Sequence, residues 1–130
     1  MAVPKLTLFA IVADDLAKSL AFYRRLGLDI PAEADTAPHV EVVLPGGLRL
    51  AWDPVETIHS FDEEWQAPTG SNRFAVAFEF PDAAGVDAKF QELVDAGYVG
   101  HKEPWDAVWG QHYAIVLDPD GNAVDLYSVL

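Results

Sequence analysis

One pattern runs through this chain twice, and it limits the folds available more than any other feature. Each copy has an apolar strand, an aspartate placed to cap a helix, a helix with aromatic and leucine residues turned inward, and a glycine stop. Asp15 matches Asp82, Tyr23 matches Phe90 and Leu26 matches Leu93 at one constant offset, after which three extra residues bring Gly27 opposite Gly97. A strand, helix and further strands cannot bury both faces of a sheet alone, so two such units should associate, within the chain or between chains. The length of 130 residues suits a single domain over 1–130, with module one at about 5–66 and module two at about 73–130.

The local patterns place the elements. Lys5 to Val12 reads as a largely buried strand, and Asp15 opens a helix to about Leu26 with Leu16, Leu20, Tyr23 and Leu26 on one face. His39–Leu44 and Leu48–Asp53 form a hairpin around Pro45, Gly46 and Gly47. If Leu44 pairs with Leu48, the even positions Val40, Val42, Leu50 and Trp52 face a helix. The odd positions His39, Glu41, Val43, Arg49, Ala51 and Asp53 then share the other face. Pro54 to Asn72 is a helical turn and linker. A strand over Arg73–Phe80 and a helix to about Ala96 follow. Strands Gln111–Leu117 and Ala123–Val129 close the second copy across the turn Asp118-Pro119-Asp120-Gly121.

Composition then removes whole classes of function. A formal net charge of −13 repels phosphate backbones and anionic lipid surfaces, so neither nucleic acid nor membrane is an expected partner. The absence of cysteine excludes disulfides, thiol nucleophiles and thiolate metal sites. With no signal-like or spanning apolar run, the expected location is the cytoplasm. Ser19, Ser60, Ser71 and Ser128 sit in no nucleophile motif, and the glycines form no phosphate-cradling loop.

Three segments carry a family resemblance. They are Asp15-Leu16-Ala17-Lys18-Ser19-Leu20-Ala21-Phe22-Tyr23 with Leu26-Gly27-Leu28, then Val76-Ala77-Phe78-Glu79-Phe80-Pro81-Asp82, then Asp118-Pro119-Asp120-Gly121-Asn122 leading into Val124-Asp125-Leu126. In order and spacing the chain resembles the vicinal oxygen chelate superfamily, which includes glyoxalase I, extradiol dioxygenases and bleomycin-binding resistance proteins. The resemblance implies an α+β fold of two paired βαβββ modules whose sheets curl around a cleft, and a homodimer. It also implies four metal-ligand positions, and these fall on Leu8, Ala51, Ala75 and Asp125. Only Asp125 has a donor atom, and one carboxylate holds a divalent ion weakly. The expectation is no metal and no cofactor. The counter-reading is a relocated site using His39, Glu41 and Asp125.

Strand parity assigns the cleft side chains. Glu79, Gln111, Tyr113, Asp125 and Tyr127 share one face of module two with Ala75 and Ala77, and His39, Glu41, Arg49 and Ala51 join them from the hairpin. Trp105 and Trp109 lie in a loop before Gln111, either as part of the ligand wall or as an apolar lid. Trp52 is expected in the core, and Trp65 at a cleft rim or a dimer contact. His59 and His101 are expected in loops, and His112 on the face away from Tyr113. Arg49 reads most simply as the partner of Glu41 across the hairpin. Asp125 is either a ligand contact or a retained structural carboxylate bonded to backbone or Tyr113. An aromatic wall beside carboxylates suits a flat or cationic organic ligand. The leading expectation is therefore a metal-independent protein that sequesters a bulky aromatic or cationic small molecule, such as an antibiotic. The alternatives are a metal-dependent lyase or dioxygenase with an altered ligand set, and a metal-free enzyme using Glu41 or Asp125 as a base.

Overall fold

The computed structural model describes residues 2–130, which form two compact units, one ending at Gln66 and the other running over Ala67–Leu130. In the first, β1 (Leu8–Ala13) leads into α1 (Leu16–Arg25), a 3-10 turn (Ala32–Thr36), the hairpin β2 (Val40–Val43) and β3 (Arg49–Pro54), and the short α2 (Val55–His59). The sheet order is β1-β3-β2, with β1 parallel and β2 antiparallel to β3. β1 starts at Leu8 and not at Lys5 because its partner strand starts at Arg49, opposite Leu8; residues 5–7 are exposed. The expected hairpin register is present: Val40 faces Trp52, Val42 faces Leu50, and Leu44 N donates to Leu48 O at 2.8 Å.

The second unit repeats the plan with β4 (Ala75–Glu79), α3 (Ala83–Asp95), β5 (Val99–Ala107), β6 (Gln111–Leu117) and β7 (Ala123–Val129). Its sheet order is β4-β7-β6-β5, with β4 parallel to β7 and the remaining pairs antiparallel. It is a complete βαβββ module. In the first unit the 3-10 turn stands where the second has β5. Arg24 fixes that turn by donating to Ile30 O at 2.8 Å and Pro31 O at 2.7 Å and by pairing with Asp35 at 2.9 Å.

The same local chemistry builds both helices. Asp15 accepts from Lys18 N at 3.1 Å and Asp82 from Gly85 N at 2.8 Å, each satisfying one amide that a helix start leaves orphaned. At the other end Gly27 (φ 95°) and Gly97 (φ 98°) turn the chain into left-handed space, and Leu28 N and Tyr98 N reach back to Tyr23 O and Leu93 O. Leu16, Leu20 and Tyr23 point inward as the sequence pattern expects, whereas Leu26 is only partly buried and Phe22, outside that stripe, is buried as well. Leu20, Phe22, Tyr23 and Trp52 are fully buried in one unit, and Val86, Leu93, Ala114, Val116, Val124 and Leu126 in the other.

β5 is the element the sequence conceals. Its stretch Val99–Ala107 contains Pro104, and its pairing with β6 shifts register between Gly100 and Lys102 and again between Lys102 and Trp105. Two irregularities erase the period-two alternation by which a strand is recognised, and a proline is tolerated at such a break. Gly100 is there for space: a Cβ would lie 2.6 Å from Phe90 Cζ and 2.8 Å from Val94 Cγ2. Gly100→Ala should therefore destabilise the protein by about 1–3 kcal/mol through overpacking against α3, read as a lower urea midpoint.

Candidate functional site

The second sheet turns α3 toward one face and gives the other to an aromatic cluster. Register sets its rows: Trp105 opposes Tyr113, Tyr113 opposes Tyr127, and Tyr127 opposes Glu79, so one row crosses all four strands. A neighbouring row runs Lys102, Ile115, Asp125, Ala77. Trp105 and Trp109 meet edge to face with centroids 5.9 Å apart, and each meets Tyr113, at 5.6 Å and 5.3 Å. Tyr113 stacks on Tyr127 at 6.2 Å with planes inclined by 26°. The four rings form one continuous wall, held in the edge-on and offset geometries that ring quadrupoles favour. Trp109 is 56 % exposed, and Gln111 fixes it by accepting from its indole N–H at 2.9 Å.

Tyr113 donates its hydroxyl proton to Asp125 through a short hydrogen bond. Burial first, and then that carboxylate, push the hydroxyl well above its usual titration range, so Tyr113 stays a donor at any physiological pH. The Lys102 ammonium lies 4.6 Å from the centroid of the Trp105 ring. Rings, the carboxylates of Asp125 and Glu79 and one ammonium thus share a single sheet face.

The sequence profile of the Glyoxalase/Bleomycin resistance protein/Dioxygenase superfamily matches residues 5–126. This chain belongs to that superfamily. Among solved structures, a glyoxalase/bleomycin resistance protein/dioxygenase family enzyme from Burkholderia phytofirmans is similar at a TM-score of 0.82 and 20 % identity, over 98 % of this chain and 100 % of that one. A glyoxalase-related enzyme from Fulvimarina pelagi gives 0.79 and 20 % over 97 % and 88 %, and a lactoylglutathione lyase from Agrobacterium tumefaciens 0.68 and 21 % over 98 % and 95 %. At such identities the likeness is one of fold. No curated protein matches the chain.

The superfamily's metal does not fit the donors present. Leu8, Ala51 and Ala75 offer none, and Asp125 is engaged by Tyr113. Among the described residues no group of three or more His, Cys, Asp or Glu is placed to hold an ion. The relocated alternative meets a specific obstacle in the first unit. His39 Nδ1 lies 2.5 Å from Asp53 and its Nε2 lies 2.8 Å from Glu41, so both ring nitrogens are taken by carboxylates on opposite sides. Glu41 also pairs with Arg49 at 3.1 Å, the cross-hairpin contact expected from parity, and Arg49 Nη2 reaches Thr7 at 3.5 Å. The result is a chain of alternating charges along one sheet face. Hydrogen bonds to Asp53 and then Glu41 raise the His39 pKa, and the imidazole in turn lowers that of Glu41.

His112, on the opposite face from Tyr113, is held between Asp87 of α3 at 2.7 Å and Asp106 of β5 at 2.8 Å. These bonds, Asp87 first, raise its pKa above the ordinary 6.5. A raised value means the imidazolium's contribution to stability is complete below about pH 6.5 and is lost as pH climbs through the folded value. His112→Gln should flatten that upper limb in urea unfolding followed from pH 6 to 9; an unchanged slope would show that the clamp contributes nothing.

Several placements differ from the sequence reading. Trp105 and His101 belong to strand β5 and not to a loop, whereas Trp109 does sit in the turn after it. Ala51, expected on the cleft face, is fully buried, while Ala75 and Ala77 are exposed. Glu79 is exposed on the edge strand β4, at the end of the aromatic row. The sequence reading placed Asp53 on the odd face without its bond to His39. Lys102 escaped it altogether, because a residue in an unrecognised strand has no parity.

Proposed function

We propose that this superfamily member is a metal-independent small-molecule binding protein that sequesters a bulky aromatic compound, an antibiotic being one such ligand. The observation that carries the reading is the wall of Trp105, Trp109, Tyr113 and Tyr127. An exposed indole is a poor core residue but a good stacking partner, and neighbouring polar groups orient a ligand more than they bind it. Glu79, Gln111 and Asp125 are the orienting groups in the second unit. Tyr113 is held protonated and donates a hydrogen bond to Asp125, so the phenol orients a ligand as a donor and is not a base.

Titration with a panel of planar dyes and glycopeptides in excess chelator, followed by tryptophan emission, tests the reading. Stoichiometric quenching that survives the chelator is the expected result. Emission unchanged across the panel, or binding that returns only with added Ni, Zn, Mn or Fe, would overturn it. A resistance role would appear as a raised inhibitory concentration when the protein is expressed in a sensitive host.

The proposal includes a homodimer located in the cytoplasm. The dimer is supported by the edge strand β4, whose Ala75 and Ala77 are exposed, because a strand at a sheet edge offers unpaired backbone groups to another chain. No helix among the described residues is long and apolar enough to cross a membrane. Sedimentation at twice the 14.2 kDa chain mass is expected; the chain mass itself would count against the dimer.

A further inference from the structure

We infer that Lys102 selects the charge of the ligand, making the β5 side of the aromatic wall the seat of an acidic group, so that the ligand class is an aromatic acid with a donor or cationic group at its far end. The inference rests on the binding role proposed above and narrows it. Lys102 and Asp125 occupy the same sheet row, with Ile115 of β6 between them. Two interstrand spacings separate their backbones by about 10 Å, the length of two linked aromatic rings.

Lys102 is exposed and its ammonium makes no ion pair among the described residues; it rests on the Trp105 ring. A cation already on that ring competes with any cationic guest and repels it at short range. An acidic group instead gains a partner that needs only to lift off the ring, because cation–π contacts at exposed sites are weak. At the other end Asp125 is fixed by Tyr113 through one oxygen, and its second oxygen accepts no hydrogen bond among the described residues. The wall is thus positive at the β5 side and negative toward β7, with rings between. That arrangement opposes the −13 charge of the whole chain, which by itself would favour cations everywhere.

The test uses three biphenyl probes of equal width: biphenyl carboxylate, biphenylmethylamine, and the aminomethyl biphenyl carboxylate bearing both charges at opposite ends. Dissociation constants are measured by NMR titration for the wild type and for Lys102→Met, Lys102→Arg and Lys89→Met. The last removes the same charge from α3, on the other face of the sheet, and controls for the field of the whole molecule. Expected in the wild type is tightest binding of the doubly charged probe. Lys102→Met should weaken both carboxylate probes about fivefold to tenfold and leave the amine unchanged or tighter, while Lys102→Arg and Lys89→Met keep the wild-type order.

A carboxylate-to-amine preference unchanged by Lys102→Met, or changed equally by Lys89→Met, overturns the inference while leaving the aromatic site standing. Absence of binding by all three probes to every variant removes the binding role and this inference together.

Discussion

Trp52→Ala is expected to lower stability by about 3–5 kcal/mol, a large part of the roughly 5–15 kcal/mol that holds a small domain folded. The indole is fully buried between β3 and α1, with its ring centroid 5.4 Å from that of Tyr23. Both rings come from the inward stripe of their elements, so removing one leaves a cavity that the second cannot fill without leaving its rotamer. The indole N–H has no hydrogen-bond partner in its buried setting. Trp52→Phe should therefore cost less than the lost volume alone suggests, because it also removes an unsatisfied donor. Urea unfolding of the two variants gives the comparison directly: a midpoint shift for Phe equal to that for Ala would mean that the N–H is satisfied by buried water and that its loss carries a cost of its own.

Trp105→Ala should have the largest effect on binding, a loss of about tenfold or more in affinity for any ligand that quenches wild-type emission. Its ring touches Trp109, Tyr113 and Lys102 at once, so its removal opens the middle of the wall and frees the lysine. Trp105→Phe keeps an aromatic face and should recover most of the affinity. Because Trp105 is only partly buried, the midpoint of unfolding should fall much less than for Trp52→Ala. Affinity lost only in proportion to lost stability would point to a packing lid and not to a ligand surface.

The two tryptophans illustrate how much was legible before the structure. Trp52 lies in a hairpin with clean alternation, so parity alone put it in the core. Trp105 lies in β5, where Pro104 and two register shifts remove the alternation, and the sequence offers no means of seeing that it shares a face with Tyr113. The same contrast separates the polar groups. Glu41, opposite Ala51, and Arg49, opposite Val43, are diagonal neighbours on one face of a hairpin whose turn fixes the register, so their pairing follows from spacing. Asp125 and Tyr113 are also on adjacent strands, and parity put them on one face. Yet the choice between a free carboxylate and one bonded to the phenol depends on side-chain placement, which spacing leaves open. Parity puts His112 on the face away from Tyr113, where α3 lies, but its partners Asp87 and Asp106 come from two other elements.

Sequence alone determined the two-fold repeat, the caps and stops of both long helices and the apolar faces of the regular strands. All of these are local or periodic properties, set by residue type at fixed spacing. The tertiary structure decided what stands on the face that the repeat leaves uncovered. It set the rings of four residues into one wall, tied Asp125 to Tyr113, closed both nitrogens of His39 and laid Lys102 over Trp105. Those contacts join strands whose register is interrupted, or side chains with several competing partners, and only packing of the whole sheet selects among them.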